Sequence, residues 1–406
     1  MTAIDLTPAV AGRSLALVAP VDGWEAEQVV EQYARVVWSH LTEPGDGVAG
    51  RLVTELGAAA ALRRITAGAV GAIAGLSGSE TAKGRSRWMP RLSAEAIDVS
   101  LRIARTAGVR LVTPDAAVWP AQLDDLGEHA PLCLWVRGDP AILTRLRPSV
   151  ALVGARAATS YGDHVAMDLA ADLAGSGVPI VSGAAYGIDG AAHRAALAVG
   201  GTTVALLAGG AERPYPVGHS GLIERIASSG LVVSEVPCGS APTKWRFLQR
   251  NRLIAALADA TVVVEAGWRS GSLNTAGHAA TLSRALGAVP GPVTSAASAG
   301  AHRLFREFGA HCITSGDDVR ELLGLGVSTA IVSDEGRPRT DDATRVRDAL
   351  SRRATRAPED LARRSGMGRE DVEVILGLLL LEGEVERDRG GWRLVRATPP
   401  ESLEVG

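Results

Sequence analysis

The chain has 406 residues, enough for two or three domains, and an apolar content of 46% argues against a globally disordered protein. The net charge is only -3, so any nucleic-acid site has to be a local basic patch. Three cysteines lie far apart, which suits a reducing cytosol and excludes a zinc-ligand spacing: Cys133, Cys238 and Cys312. There is no apolar run of about 18 residues and no signal-like start, so we expect a cytoplasmic protein without a membrane span.

Residues 1–108 lack strong strand signals and predict a small helical domain. Apolar residues at helical spacing predict helices over residues 25–41, 50–73 and 93–106, the last with Ser93 as its N-cap. The polar stretch of residues 77–87 is rich in glycine and serine and predicts a loop.

Residues 109–324 alternate short apolar runs with helical patterns. The predicted strands are residues 150–153, 179–181, 203–207, 231–234, 261–265 and 288–289. The predicted helices are residues 162–174, 189–199, 220–227, 250–257, 272–286 and 302–308. This alternation predicts an α/β domain with a Rossmann-like, mostly parallel sheet covered by helices on both faces.

The C-terminal part has a different pattern. Residues 325–343 are polar and predict a linker, and residues 344–398 read as three helices followed by a hairpin, which is the winged-helix layout. The third helix begins with Arg369-Glu370-Asp371-Val372-Glu373, whose carboxylates would repel phosphate. We therefore expect this domain to contact protein or the central domain rather than duplex DNA.

The first strand-to-helix turn of the central domain carries phosphate-binding chemistry. It runs from Gly154 to Gly162 and contains Arg156 and Ser160. Such a turn directs backbone amides and a helix N-terminus toward an anion. Arg156 stands where a dinucleotide-binding motif has its second glycine, so it would obstruct a pyrophosphate but can itself reach an extended anion. The alternative is a plain turn with an exposed arginine.

The second turn follows the next predicted strand. Ser182 can donate to phosphate, and Gly183 and Gly187 permit close backbone approach or positive φ. Asp189 is expected to cap the following helix. Asp189 and His193 are spaced as a hydrolase pair, but no serine or cysteine nucleophile lies in an elbow motif nearby, so structural roles are favoured.

The densest basic cluster lies at the start of the predicted helix 250–257. Aromatic residues interleave with its cations, and this pattern suits single-stranded nucleic acid, where charges follow the backbone and rings stack on bases. The cluster comprises Lys244, Trp245, Arg246, Phe247, Arg250 and Arg252. The alternative is a surface helix whose basic residues form ion pairs.

A last turn, Ser270 to Ala276, supplies uncharged donors for phosphate, among them Ser270 and Ser272. The sequence has no GxxxxGK[ST] motif and no metal-ligand spacing. We therefore expect no ATP-driven motor, no cofactor, no metal and no catalytic residue.

In combination these segments resemble the DNA-processing protein A family, DprA, also called Smf. The resemblance rests on motifs in the family's order over roughly 170 residues: Val153-Gly154-Ala155-Arg156, Ser160-Tyr161-Gly162, residues 182–197, Tyr215-Pro216, Ser234-Glu235, Arg250-Asn251-Arg252, Glu265, residues 270–276 and Val289-Pro290-Gly291. Val217 and His219 depart from the family, which often has a lysine and an asparagine after Tyr-Pro.

The resemblance implies a homodimer that binds single-stranded DNA and loads RecA recombinase onto it in natural transformation. It implies a DNA groove lined by Arg156, Ser182, Gly183, Arg250 and Arg252, with Lys244 and Asn251 beside them. Two alternatives remain open. One is a nucleotide-binding or nucleoside-monophosphate-hydrolysing protein, although Pro290-Gly291-Pro292 does not complete the PGGxGTxxE motif of such enzymes. The other is a scaffold without DNA binding.

Overall fold

The computed structural model describes residues 4–69, 71–73, 75–326, 342–388 and 390–395. The chain forms two compact units, Met1–Val327 and Ser328–Gly406. Among the described residues, no helix has the length and apolar character needed to cross a bilayer. The domain boundaries inferred from the sequence stay predictions.

The first unit begins with helices, as the sequence predicts. They are α1 (Pro8–Leu15), α2 (Ala26–Leu41), α3 (Gly47–Leu56), α4 (Ala58–Thr66), α5 (Gly78–Trp88) and α6 (Ala94–Thr106). The prediction of one helix over residues 50–73 is wrong, because Gly57 adopts a φ of 80° and separates α3 from α4. Ser93 caps α6 by accepting from the amide of Ala96, as expected.

The prediction of a loop over residues 77–87 is also wrong, since this stretch forms α5. Ser77 accepts from the amide of Glu80, and the Glu80 carboxylate accepts from the amide of Ser77, which makes a complete capping box. The helix then buries Trp88 against Trp38, with ring centroids 5.1 Å apart and nearly perpendicular planes. The capping box and the burial of Trp88 stabilise this helix although its composition is polar.

A sheet forms the centre of the first unit. Its strands are β1 (Val109–Val112), β2 (Leu134–Gly138), β3 (Val150–Gly154), β4 (Ile180–Ser182), β5 (Thr203–Leu207), β6 (Leu231–Ser234), β7 (Ala260–Glu265), β8 (Ala285–Ala288) and β9 (His311–Cys312). Across the described residues these nine strands follow the order β1-β2-β6-β5-β4-β3-β7-β8-β9. Strands β3 to β9 are parallel to one another, whereas β2 pairs antiparallel with both β1 and β6. The predicted Rossmann-like fold class is confirmed.

Helices cover both faces of this sheet. They are α7 (Ser160–Gly175), α8 (Ile188–Ala198), α9 (Ser220–Ser229), α10 (Lys244–Leu257), α11 (Ser272–Thr281), α12 (Ala299–Glu307) and α13 (Gly316–Leu322). One face packs on α10, α11 and α12, and the other packs on α7, α8 and α13. The N-terminal helices share a core with α9 and with inward side chains of β2, β5 and β6. The predicted helix over residues 272–286 ends early, because Ser283 has a φ of 54° and β8 begins at Ala285.

The strand order creates a crevice in the first unit. From β3 the chain proceeds to β4, β5 and β6 on one side, and it returns to the other side of β3 to form β7 and β8. The loops that leave the carboxyl ends of β3 and β7 therefore diverge to opposite faces of the sheet. Open α/β sheets bind their ligands at such a switch point.

The second unit has the predicted winged-helix arrangement. Its elements are α14 (Asp342–Ala349), α15 (Pro358–Ser365), α16 (Arg369–Leu381), β10 (Val385–Asp388) and β11 (Gly391–Leu394), and the two strands pair antiparallel. Its own core contains Val346, Leu361, Leu376 and Trp392. Most of the predicted linker, residues 327–341, and Arg389 of the predicted hairpin turn lie outside the described residues.

Candidate functional site

A cleft of about 460 Å³ opens at the switch point between β3 and β7. Its walls are the turn after β3, the middle of α10 and the turn between β7 and α11. Six of the predicted DNA-binding residues line this cleft, although they come from three separate motifs: Gly154, Arg156, Arg250, Asn251, Ser270 and Ser272.

Arg250 forms the floor of the cleft. Its Nη1 donates to the carbonyl oxygens of Gly183 at 2.6 Å and Leu206 at 2.5 Å. Burial lowers the pKa of Arg250 to about 10, and this value leaves the guanidinium charged at neutral pH. A Cβ at Gly183 would lie 2.2 Å from Nη1 of Arg250, so a larger residue there would push the guanidinium away from its two carbonyl partners. The absence of a side chain at Gly183 leaves room for this guanidinium, and direct phosphate contact by Gly183 stays a prediction.

Asp189 shapes the loop above this floor. Its Oδ2 accepts from the amides of Gly183 at 3.1 Å and Ala185 at 3.4 Å, so the side chain reaches back from the first turn of α8. The N-cap of α8 is Gly187, and the expectation that Asp189 caps this helix is wrong. Burial raises the pKa of Asp189, and the positive charge of Arg250 opposes that rise.

His193 does not form a reactive pair with Asp189. Its ring is fully buried, and Nδ1 lies 2.7 Å from Oγ1 of Thr203. Thr203 donates its own hydroxyl hydrogen to the carbonyl of Ile180, so Nδ1 of His193 carries the proton of this hydrogen bond. Burial lowers the pKa of His193 to about 3, and the ring is neutral. This geometry favours the structural role over the hydrolase role.

Arginines and aromatic rings stack between the mouth and the floor of the cleft. The guanidinium carbon of exposed Arg156 lies 4.9 Å from the ring centroid of Phe247, and that of Arg250 lies 5.9 Å from the same centroid. The ring of Tyr215 lies 5.4 Å from that of Phe247. Cations over aromatic faces gain electrostatic attraction while their N–H groups stay available to an anion.

Glu265 holds the turn that carries Arg156. Its Oε2 accepts from the amide of Thr159 and its Oε1 from the Thr159 hydroxyl, both at 2.8 Å. Thr159 in turn accepts from the amide of Gly162 and caps α7. The buried carboxylate is fully engaged in positioning the turn. This arrangement disfavours Glu265 as an acid–base group, the role that the hydrolase alternative requires.

The far wall of the cleft is polar and adds a third cation. Oγ of Ser270 and Oγ of Ser272 lie 2.8 Å apart, and Nδ2 of Asn251 donates to the carbonyl of Gly271 at 3.3 Å. Exposed Arg269 also lines the cleft, and it was missed in the sequence. In the sequence, only its place directly before the hydroxyl-rich turn Ser270 to Ala276 could have indicated a role in the cleft.

Arg252 lies outside this cleft and is 3% exposed along its side chain. Its Nη1 and Nη2 donate to the two carboxylate oxygens of Glu235, each at 2.6 Å, and Nε and Nη2 donate to the carbonyl of His129. The amide of Gly45 donates to the same carboxylate at 3.3 Å. Arg252 therefore ties the sheet to the N-terminal helices, and a phosphate contact would have to break this ion pair.

The other predicted site residues do not line the cleft. Ser182 is fully buried and donates to the carbonyl of Leu152 at 2.6 Å. Ser160 is the first residue of α7, and Gly187 has a φ of 73°. Lys244 is exposed at the first turn of α10. Direct DNA contact by these four residues stays a prediction.

Exposed rings surround the cleft on two sides. Tyr186 follows the lining residue Ala185, and Trp268 stands between the lining residues Gly267 and Arg269. The guanidinium of Arg303 lies 5.4 Å from the Trp268 ring centroid. These rings are accessible for stacking on a planar ligand.

Three arginines face this cleft, and its carboxylate Asp189 is buried beneath a loop. Among the described residues, no cluster of histidine, cysteine, aspartate or glutamate could hold a metal ion. The fold and the cleft thus define a Rossmann-like α/β protein with an arginine-lined cleft, a candidate anion site, at the switch point of its sheet.

Residues 110–324 match the family described as DNA recombination-mediator protein A, and residues 333–391 match the DprA winged helix domain. A candidate DNA processing protein DprA of Mycobacterium tuberculosis is 44% identical over 392 residues, which are 91% of this chain and 96% of that protein. The Bacillus subtilis DNA processing protein DprA is 34% identical over 219 residues, 54% of this chain and 73% of that protein. The X-ray structure of DprA from Streptococcus pneumoniae aligns with a TM-score of 0.57 and 28% identity over 72% of this chain and 97% of that one. This chain belongs to the DprA family of DNA-processing proteins, and the resemblance seen in the sequence is confirmed.

Proposed function

We propose that this protein is a non-enzymatic recombination mediator that binds single-stranded DNA in the cleft between β3 and β7. The observation that carries the proposal is the stack of Arg156, Phe247 and Arg250, which runs from the mouth of the cleft to its floor. Alternating guanidinium groups and rings match a strand that alternates phosphates and bases. Arg269 extends the positive charge across the cleft, and the family description agrees with such a role.

The exposed rings favour a single strand over a duplex. Tyr186, Tyr215 and Trp268 surround the cleft, and each has an accessible face. Bases of a single strand can leave their neighbours and stack on such rings, whereas the bases of a duplex are already stacked. Stacking and phosphate contacts depend little on base identity, so we expect binding to tolerate all sequences.

We extend the proposal to a homodimer that passes its bound strand to RecA recombinase, in the cytoplasm, during natural transformation or another recombination process. Family membership supports this extension. Two linked clefts on one strand would bind more tightly than one, because the second binding event becomes intramolecular.

The test is the binding of a fluorescein-labelled oligo-dT to the wild type and to the single variants Arg156→Ala and Arg269→Ala. Losing one charged contact to phosphate should weaken binding by roughly tenfold for each variant. Arg145→Ala is the matched control, because Arg145 is exposed, pairs with Asp139 at 3.3 Å, and precedes β3 at the opposite edge of the sheet. Unchanged binding by both cleft variants, or an equal loss in the control, would overturn the proposal.

A second arm addresses the hydrolase alternative. Nucleoside monophosphates are incubated with the wild type, and released base is measured by chromatography. The engagement of Glu265 by Thr159 leads us to expect no release above background. Base release that Glu265→Gln abolishes would instead favour the hydrolase.

A further inference from the structure

The outer face of α16 in the second unit is apolar. Val374, Leu378 and Leu381 are 65%, 55% and 85% exposed. Their spacing of four and three residues places them in one row along the helix. The core of the unit is formed from the opposite side of the same helix, by Val372, Leu376 and Leu379. The row is therefore a second apolar face of α16, separate from the face that the domain needs in order to fold.

This face has a gap at its centre. Gly377 lies between Val374 and Leu381 along the helix, and a Cβ built there would meet no atom within 4 Å. The three large side chains therefore border an open space rather than a continuous ridge. An inserted side chain of a partner helix would fill this space as a knob fills a hole.

Both ends of the face are acidic. Glu370 and Asp371 lie exposed in the first turn of α16, and the adjacent Arg369 is held by Glu359 at 2.7 Å and Glu373 at 2.8 Å. The recognition helix of a duplex-binding winged helix normally presents cations to DNA, whereas this face of α16 presents carboxylates and leucines.

The far end of α16 carries Glu382 and Glu384, which share Arg347 at 3.6 Å and 2.5 Å. A second copy of α16 packed antiparallel would place this acidic end against the acidic first turn of its partner. A copy packed parallel would place the two acidic first turns side by side. Charge therefore disfavours self-association through this face and favours a basic partner.

We infer that the outer face of α16 docks an amphipathic helix of another protein, one with apolar residues at matching spacing and with lysine or arginine at its ends. The leucines supply the buried contact, and the acidic ends select the basic partner and set its position. This inference does not depend on the cleft of the first unit.

The test uses the full chain and two synthetic helical peptides. Both peptides carry leucines at positions i, i+4 and i+7; one has lysines at its ends and the other has glutamates. Fluorescence polarisation should show the lysine peptide binding at least about tenfold more tightly than the glutamate peptide. The difference should shrink as salt is added.

Leu378→Asp and Leu381→Asp should each weaken binding of the lysine peptide by roughly tenfold or more, because each places a charge inside the buried contact. Both side chains are exposed in the free protein, and circular dichroism checks that the variants fold. Val99→Asp is the matched control, an exposed apolar residue on α6 of the first unit, and it should bind as the wild type does.

Four results would overturn the inference. They are equal binding of the two peptides, absence of binding, peptide affinity unchanged by both leucine variants, and displacement of the peptide by duplex DNA. Sedimentation of the wild type adds a further check. Self-association that Leu378→Asp abolishes would assign the face to a second copy of this chain instead.

Discussion

Arg252→Ala separates the roles of the two arginines in the Arg250-Asn251-Arg252 motif. Arg252 is almost fully buried, and both of its terminal nitrogens donate to the carboxylate of Glu235 at 2.6 Å. The substitution leaves that carboxylate without its cation and the carbonyl of His129 without its donors. We therefore expect the variant to lose stability rather than direct contact with DNA.

The magnitude follows from the burial of the pair. Removing one partner of a buried ion pair costs about 3–5 kcal/mol, because a buried charge is left uncompensated. Urea unfolding followed by tryptophan fluorescence measures the loss in the first unit. At a temperature where the variant stays folded, its affinity for oligo-dT should remain within about threefold of the wild type.

A charge-free double variant is the control. Arg252→Met with Glu235→Gln should recover much of the lost free energy of unfolding, since no unpaired charge remains buried. A normal unfolding midpoint for Arg252→Ala together with a loss of DNA affinity above about tenfold would refute the reasoning. Arg252 would then bind phosphate directly.

Three further variants examine the support of the cleft. Glu265→Gln keeps the size of the side chain, but the amide cannot accept from both donor groups of Thr159. Oligo-dT titration should therefore show an affinity loss of roughly tenfold. Urea unfolding should show that the free energy of unfolding falls by about 1–3 kcal/mol. Gly183→Ala places a Cβ against the Arg250 guanidinium, so the free energy of unfolding should fall by about 1–3 kcal/mol. Burial lowers the pKa of His193 to about 3 in the folded protein. Below about pH 6.5 the unfolded chain therefore binds more protons than the folded one, and the free energy of unfolding falls as the pH decreases from 6.5 toward 3. Urea unfolding should show this group costing about 2 kcal/mol between pH 6.5 and pH 5, and His193→Gln should lack that part of the pH dependence.

The strands were the most predictable part of the fold. β5 and β6 have the predicted bounds, because buried parallel strands are short apolar runs that contrast with the helices around them. Helix α5 was not predictable from apolar spacing, since a capping box and one buried tryptophan stabilise an otherwise polar segment. Gly57 divides α3 from α4 by its positive φ, which helical spacing does not reveal.

The site was predictable in part. Turns at the carboxyl ends of parallel strands meet at one edge, and this rule brought Arg156 and Ser270 into one cleft, beside Arg250 from the middle of α10. The roles of individual arginines were not predictable. Arg250 and Arg252 are two residues apart, so a helix directs them to different sides, one toward the cleft and the other toward Glu235. Only the packed structure distinguishes a binding cation from a structural one.

The salt dependence of oligo-dT binding tests the central claim most directly. The logarithm of the affinity is measured against the logarithm of the salt concentration for the wild type and for the double variant Arg156→Ala with Arg269→Ala. Each contact with a single-strand phosphate contributes about 0.7 to the steepness of this plot, so losing two contacts should reduce the steepness by about 1.4. The same slope in both proteins would show that DNA binds elsewhere and would contradict the proposed cleft.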